Sequence, residues 1–598
     1  MKRLLWSASV LLLIPLISAV AQSPAPLIEN IYHRQLISLN GDWNTLIDRY
    51  DDGTYHPNYY LNHKQQAPDE LVEYAFDGSQ TLKVPADWNS QRKELFFYEG
   101  TLWYEKDFQY QPKPHTRAFL YVGAANYAST VYVNGEKVCH HEGGFTPFNC
   151  EIGRLLKSGA NFAVISVNNE RRRERVPAMS TDWWNYGGIT RDVMIVEVPE
   201  TFVQGYSLQL DRANREHISG WVQLANATSP QKVKVRIPEI KVEADATTNA
   251  AGRAEISIDA KGLKLWSPES PKLYSVEVSS TDDRVQDDIG FRTIEVRGTD
   301  ILLNGKPIFL RGISVHEESP IHPGRATDDA DAKVLLGWVK ELGGNYVRLA
   351  HYPHNEFMTR EADRMGLLVW SEIPVYWNID WKNPAAIESA KQQLEEMITR
   401  DRNKASIILW SVSNESPRVP ERLTFLQELI KTARELDGTR LVTSATNQTT
   451  TAGPHQKVLD DPLIESLDVY GANEYLGWYE GKIADADVTT WTTPYNKPLL
   501  ISEFGAGAKE GMHGDKNLRF SEEYQKDLYE HTLAMLSKIP TLRGMSPWIL
   551  VDFRSPRRLR PGIQDYFNRK GLISDEGKKK PAFYVLQNFY KQKANETK

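Results

Sequence analysis

The sequence predicts a multidomain protein of β plus α/β class: a jelly-roll-like β-sandwich, an immunoglobulin-like β-sandwich, and a C-terminal (β/α)8 TIM barrel. Three observations carry this. Up to about Gly298 the chain is written in short alternating runs split by turn residues. After Asp300 the rhythm changes, and strand-like apolar runs alternate with segments of helical spacing. About eight such runs fill the rest of the chain, which is the count and span of a (β/α)8 barrel. At 598 residues the chain is also too long for one core and is expected to divide into about three domains.

At the N-terminus, Lys2 and Arg3 precede an apolar run from Leu4 to Val20, and Ala19-Val20-Ala21 is a small-x-small cleavage site. Residues 1–21 therefore read as a secretory signal peptide. That predicts a secreted or periplasmic protein with no membrane span after cleavage. An uncleaved anchor is the other reading, although the run is short and is broken by Pro15.

Residues 28–198 are expected to form the first sandwich. Ala118 to Gly123 and Thr130 to Val133 read as strands, and Asn134-Gly135 is a hairpin signal. The segment from Tyr50 to Gly78 is longer than a hairpin and reads as an insertion with no assigned role. Residues 199–298 stay β, with strict alternation from Lys232 to Ile237. Cys139 and Cys150, the two cysteines of the chain, could pair in an oxidising compartment or remain buried thiols.

Residues 299–598 are the expected barrel. Ile308 to Ile313, Tyr346 to Ala350, Leu367 to Ile373, Ile407 to Val412, Leu441 to Ala445, Leu467 to Ala472, Pro498 to Ser502 and Gly544 to Val551 read as its strands. Helical spacing runs over Asp329 to Leu342, Glu388 to Arg402, Glu421 to Leu436 and Glu522 to Leu536, with no clear helix between Ala445 and Leu467.

A net charge of −7 without a basic tail excludes an electrostatic grip on nucleic acid. No three-ligand metal set, phosphate loop or dinucleotide fingerprint is present, so neither a metal nor a cofactor is expected.

Parallel barrels carry their chemistry at the C-terminal ends of the strands. The fourth run ends in Asn414-Glu415 and the seventh in Glu503. By itself Glu415 reads equally as a catalytic acid or a surface carboxylate. The matching placement of Glu503 tilts the balance, because a pair of carboxylates flanking one bond is what glycoside hydrolysis needs.

Longer motifs add to this pair. Pro85-Ala86-Asp87-Trp88-Asn89, Trp184-Asn185-Tyr186-Gly187-Gly188, Ile289-Gly290-Phe291-Arg292, Ser413-Asn414-Glu415 and Ser502-Glu503-Phe504-Gly505 together resemble glycoside hydrolase family 2 from the first sandwich to the C-terminus. The resemblance implies a retaining enzyme. Glu415 would be the acid/base and would hold a proton at working pH, while Glu503 would be the nucleophile. Asn414 would contact the sugar 2-hydroxyl, Tyr475 would orient Glu503, and Tyr479 and Trp548 would line the sugar. Asp182 and His351 match family positions in the pocket, and His316-Glu317 ends the first strand similarly. The family also leaves room for a homo-oligomer.

Among the family's substrates, three features favour a uronic acid and thus an exo-acting β-glucuronidase. Asn568-Arg569-Lys570-Gly571 resembles the Asn-x-Lys motif that holds a substrate carboxylate. Asn473 to Tyr479 resembles the corresponding tyrosine-bearing segment. Arg554, Arg557, Arg558 and Arg560 would draw an anionic carbohydrate to the catalytic mouth. The alternatives are a β-galactosidase on the same scaffold and a carbohydrate-binding protein without catalysis.

Overall fold

The computed structural model describes residues 23–446 and 450–596. The expected signal peptide lies outside the described residues.

The first domain is a sandwich of a six-stranded and a four-stranded antiparallel sheet. Its longest pair, Thr101–Tyr110 against Gly159–Asn168, runs in unbroken register. The Ala128–Val133 and Glu136–Glu142 strands form the expected hairpin, with Asn134 and Gly135 both at positive φ (51° and 84°) as a type I′ turn requires. Cys139 and Cys150 are disulfide-bonded. The 50–78 segment folds back on the outer face of the six-stranded sheet. There Tyr60 stacks on Tyr132 at 4.8 Å and Tyr59 meets Trp103 edge-on at 5.7 Å.

The second sandwich packs a three-stranded against a four-stranded sheet. Its Lys232–Ile237 strand buries Val233, Val235 and Ile237, the apolar half of the alternation.

The barrel strands are β1 (residues 310–315), β2 (Tyr346–Leu349), β3 (Leu368–Glu372), β4 (Ile407–Asn414), β5 (Leu441–Thr446), β6 (Tyr470–Asn473), β7 (Leu499–Glu503) and β8 (Leu542–Met545). They hydrogen-bond in sequence order and all in parallel. β1 is broken into Leu310–Arg311, which pairs with β8, and Ser314–Val315, which pairs with β2, and so it closes the barrel.

Two of the expected strands are placed differently. The first extends past Ile313, and the last ends at Met545 rather than Val551. The residues from Ser546 onward leave the barrel wall to build its mouth. Helices over Asp329–Glu341, Pro384–Asp401, Pro420–Leu436 and Glu522–Leu536 follow the helical spacing. Glu356–Met365 and Pro581–Glu596 are helices that the apolar pattern did not announce. Between β5 and β6 the described residues hold short strands and a 3-10 turn rather than an α-helix.

Sandwich and barrel are tied by charge as well as packing. Buried Arg191 of the first sandwich donates to Glu317 at 3.1 Å and to the Pro353 carbonyl at 2.6 Å. Glu317, which follows His316 at the end of the first strand, is thereby committed to the domain seam. This seam carries the 179–186 loop of the sandwich to the open end of the barrel, where Trp183 packs against Tyr376 and His351.

Candidate active site

The strand ends converge as a parallel barrel requires. β4 is fully buried along its length and stops at Glu415, whose φ of 49° lies in the left-handed region. A non-glycine residue there costs on the order of 1–2 kcal/mol, and such strain collects at functional sites. The turn is held by the Glu415 amide, which donates to the Ala445 carbonyl of β5 at 2.9 Å. The Glu415 carboxylate accepts from Asn473 Nδ2 at 2.9 Å and from Trp377 Nε1 at 2.8 Å.

Glu503, 5% exposed, accepts from Arg348 Nη1 at 2.8 Å and from the Tyr475 hydroxyl at 2.7 Å. Burial pushes the Glu503 carboxyl up to about 7, and the charge of Glu415 adds to this; Arg348 and Tyr475 pull the other way. The carboxyl raised by its surroundings is therefore the expected nucleophile.

Arg348 and Glu372 escaped the sequence reading, yet they organise this floor. Arg348 is fully buried on β2 and spans Glu503, Glu372 of β3 (3.0 Å), the Asn414 side-chain oxygen (2.7 Å) and the Ser502 carbonyl (3.1 Å). Burial favours neutral Glu372, but Arg348 and His351 outweigh it and hold that carboxylate at about 2. One signal could have found them. An arginine in Tyr-Val-Arg-Leu-Ala and a glutamate ending Leu-Val-Trp-Ser-Glu are charges inside strands buried on both faces, and buried charges are paired.

His351 sits over this network, with Nδ1 2.9 Å from Glu372 and its ring stacked on Trp548 at 4.6 Å. Burial lowers its pKa, which favours the neutral ring. His316 touches the Tyr352 hydroxyl at 3.0 Å and packs on Phe553. Asn414 Nδ2 is buried with no hydrogen-bond partner among the described residues. An unsatisfied buried amide is costly, which singles out this donor among the floor groups.

The rim comes from loops. Lys570, 3% exposed, donates to the Tyr479 hydroxyl at 2.7 Å and lies over the rings of Tyr479, Tyr475 and Trp478. Burial lowers the Lys570 pKa, opposed by the Tyr479 hydroxyl and reinforced by Arg558. Arg558 reaches the same hydroxyl at 3.1 Å. Burial would raise the Tyr479 phenol, but the two cations outweigh it and lower it. A cavity of about 480 Å³ beside these rings is lined by Glu415, Arg418, Asn473, Tyr475, Tyr479 and Glu480.

Three sets of rim residues already have partners within the chain. Asp182 enters the barrel mouth but is already bound there, by Arg558, by Ser555 Oγ at 2.6 Å and by Asn568 Nδ2 at 3.1 Å. The Asn568 amide thus donates one hydrogen to Asp182, while its oxygen accepts from the Lys570 backbone amide at 3.2 Å. The four arginines do not act as one cluster. Arg558 serves Asp182, Arg557 bonds Ser180 at 2.6 Å and covers Trp377, Arg554 turns toward the sandwich between Phe96 and Phe567, and Arg560 lies over Phe520. Glu474, which carried no expected role, is clamped by Lys457 at 2.6 Å. No cluster of metal-ligating side chains occurs among the described residues, and none of their helices is long and apolar enough to cross a membrane.

Comparison with known proteins agrees with this architecture. Family models for glycosyl hydrolases family 2 match three segments: the sugar binding domain at residues 37–199, a central domain at 201–292, and the TIM barrel domain at 294–595. A β-glucuronidase of Paenibacillus borealis is 27% identical over 561 residues, covering 85% of this chain and 91% of the relative. That of Rattus norvegicus is 29% identical, covering 86% of each. Among solved structures, a Bifidobacterium dentium β-glucuronidase complexed with coumarin-3-O-glucuronide superposes with a TM-score of 0.81 at 25% identity, covering 94% of this chain and 97% of that one. A Ruminococcus gnavus β-glucuronidase in complex with D-glucuronic acid gives 0.79 at 25% identity, covering 95% and 99%. With family models matching both sandwiches and the barrel, the chain is a glycoside hydrolase and belongs to glycosyl hydrolase family 2.

Proposed function

We propose that the chain is an exo-acting, retaining β-glucuronidase that removes terminal β-D-glucuronosyl residues from oligosaccharides or glycoconjugates. One observation carries the choice of sugar. The ammonium of Lys570 is buried at the rim of the carboxylate pair, and its one side-chain hydrogen bond among the described residues is to the Tyr479 hydroxyl, with no carboxylate in salt-bridge contact. A buried cation calls for an anion, and the C6 carboxylate of a glucuronide supplies it. The β-glucuronidase relatives support the reading.

Two steps follow from the floor. Glu415 gives its proton to the glycosidic oxygen while Glu503 attacks C1, so the C1–O bond to the leaving group breaks as the C1–Glu503 bond forms. Water then adds to C1 as Glu415 takes back a proton and Glu503 departs, and the β configuration is restored. Arg348 and Tyr475 stabilise the charged form of Glu503 before attack. Asn414 Nδ2 donates to the sugar 2-hydroxyl, a contact that strengthens as charge develops at C1. Retention calls for the two carboxyl groups to stand roughly 5–5.5 Å apart.

The β-galactosidase alternative keeps one foothold, in that the Asn568 amide is turned to Asp182. Turnover of nitrophenyl β-D-glucuronide and β-D-galactoside, by the wild-type chain and by Lys570→Ala, decides between them. The expected result is faster glucuronide turnover that depends on Lys570. Faster galactoside turnover, indifferent to Lys570, would overturn the assignment.

A further inference from the structure

Away from the catalytic mouth, the first sandwich and the barrel enclose a second cleft of about 860 Å³. Its walls come from residues 89–97 of the sandwich and from barrel residues 318–324, 551–554, 567 and 575. Arg554 enters it with its guanidinium 5.3 Å from the Phe96 ring and 4.0 Å from Phe567. Its backbone is fixed at both ends, the amide donating to Glu318 at 3.0 Å and the carbonyl accepting from the Trp184 amide at 3.0 Å. The guanidinium itself has no ion-pair or hydrogen-bond partner among the described residues, although arginine in a cleft ordinarily finds a carboxylate. Lys93 is exposed on the same wall.

Beside Arg554, Phe97 is 64% exposed, backed by Trp184 at 5.5 Å and Tyr566 at 5.3 Å. An exposed aromatic and a guanidinium with no hydrogen-bond partner among the described residues line the same cleft, a surface for a sugar ring that carries an anion. The acidic groups of the cleft do not spoil it. Asp575 is paired with Arg569 at 2.5 Å, Asp552 with Lys580 at 2.8 Å, and burial pushes Glu318 up to about 8, so that it is largely neutral at pH 7.

We propose that this cleft is a second carbohydrate site, taking an acidic saccharide whose carboxylate or sulfate meets Arg554 and whose ring lies on Phe97. The choice of an acidic saccharide rests on the glucuronide reading above, while the cleft residues are separate from the pocket that carries that reading. Arg554 and Arg558 sit four residues apart on one loop, so the loop presents one arginine to each site.

Calorimetry on the full-length Glu503→Gln chain, which leaves ligand uncut, tests this with an unsulfated oligouronate, a sulfated oligosaccharide and a neutral oligosaccharide of matched length. Two binding sites are expected for at least one acidic ligand, and which one binds identifies the anion. Adding Arg554→Ala should reduce two sites to one, and Phe97→Ala, exposed enough to spare the fold, should weaken the second site about 5- to 10-fold. In the active chain both changes should leave nitrophenyl β-D-glucuronide turnover as it is. Absence from the parent of any site lost in Arg554→Ala, or a second site indifferent to both variants or filled equally by the neutral ligand, would overturn the proposal. Absence of glucuronide turnover with the second site intact would instead overturn the glucuronidase reading alone.

Discussion

The floor and the rim of the candidate site are built on different principles. On the floor, Glu503, Glu372 and Asn414 project from three barrel strands and all bond to Arg348 of a fourth. At the rim, Asp182, Tyr479, Arg558, Asn568 and Lys570 come from three separate loops and two domains; Asp182 is paired with Arg558, and Lys570 has no salt bridge of its own among the described residues. The difference suggests a division of labour. A rigid floor positions reacting groups, and a rim of loops with an unmatched charge chooses the substrate.

The sharpest way to break this division is at Glu503. Glu503→Gln removes the attacking oxygen without changing shape, and kcat should fall by about 10⁴-fold or more while circular dichroism is unchanged. Turnover within tenfold of wild type would end the floor's assigned role.

Arg348→Met should show that the floor is one unit. It leaves Glu372 and Glu503 buried without their cation, and a buried pair broken on one side costs about 3–5 kcal/mol. A lowered thermal midpoint and lost activity are expected together. Unchanged stability would mean that the network contributes little to the fold.

At the rim the effect should be selective rather than global. Lys570→Ala should reduce kcat/KM for a β-glucuronide by roughly 30- to 4000-fold, the range for removing one partner of a desolvated charge pair, and leave the thermal midpoint near its wild-type value. Equal losses on charged and neutral aryl glycosides would erase the distinction between rim and floor.

The smallest effect concerns pH. Attack requires ionised Glu503, and burial sets that carboxyl at about 7 in the empty site. As pH falls through 7 the group takes up a proton, so kcat/KM should drop tenfold per unit below that point. Tyr475→Phe removes a hydrogen bond that favours the charged form, and it should move this acid limb upward by less than about one pH unit. A limb that stays in place would show that another group sets it.

Much of the floor was legible in the sequence, because barrel strands buried on both faces read as apolar runs and their last residues are fixed by topology. Glu415 and Glu503 stood out as carboxylates ending such runs. Arg348 and Glu372 were hidden inside them, since a charge within an apolar run is informative only when its partner on another strand is known. The rim was less legible. Asn568 and Lys570 were picked out by motif, but their partners lie 386 and 91 residues away, at Asp182 and Tyr479. Spacing carries nothing about contacts of that range, and four arginines adjacent in sequence proved to point to different neighbours. The helix at Glu356–Met365 was missed for a related reason: it buries Glu356, Arg360 and Glu361 in ion pairs and Asp363 against the Ser406 amide, so its inner face is not wholly apolar.

The most direct test is to trap the intermediate. Incubation of the wild-type chain with a 2-deoxy-2-fluoro-β-glucuronosyl fluoride, followed by peptide mass spectrometry, should find one fluoroglucuronosyl group on the peptide bearing Glu503, with activity lost in step. Full activity with no label, or a label on Glu415 instead, would contradict both the double displacement and the roles given to the two carboxylates.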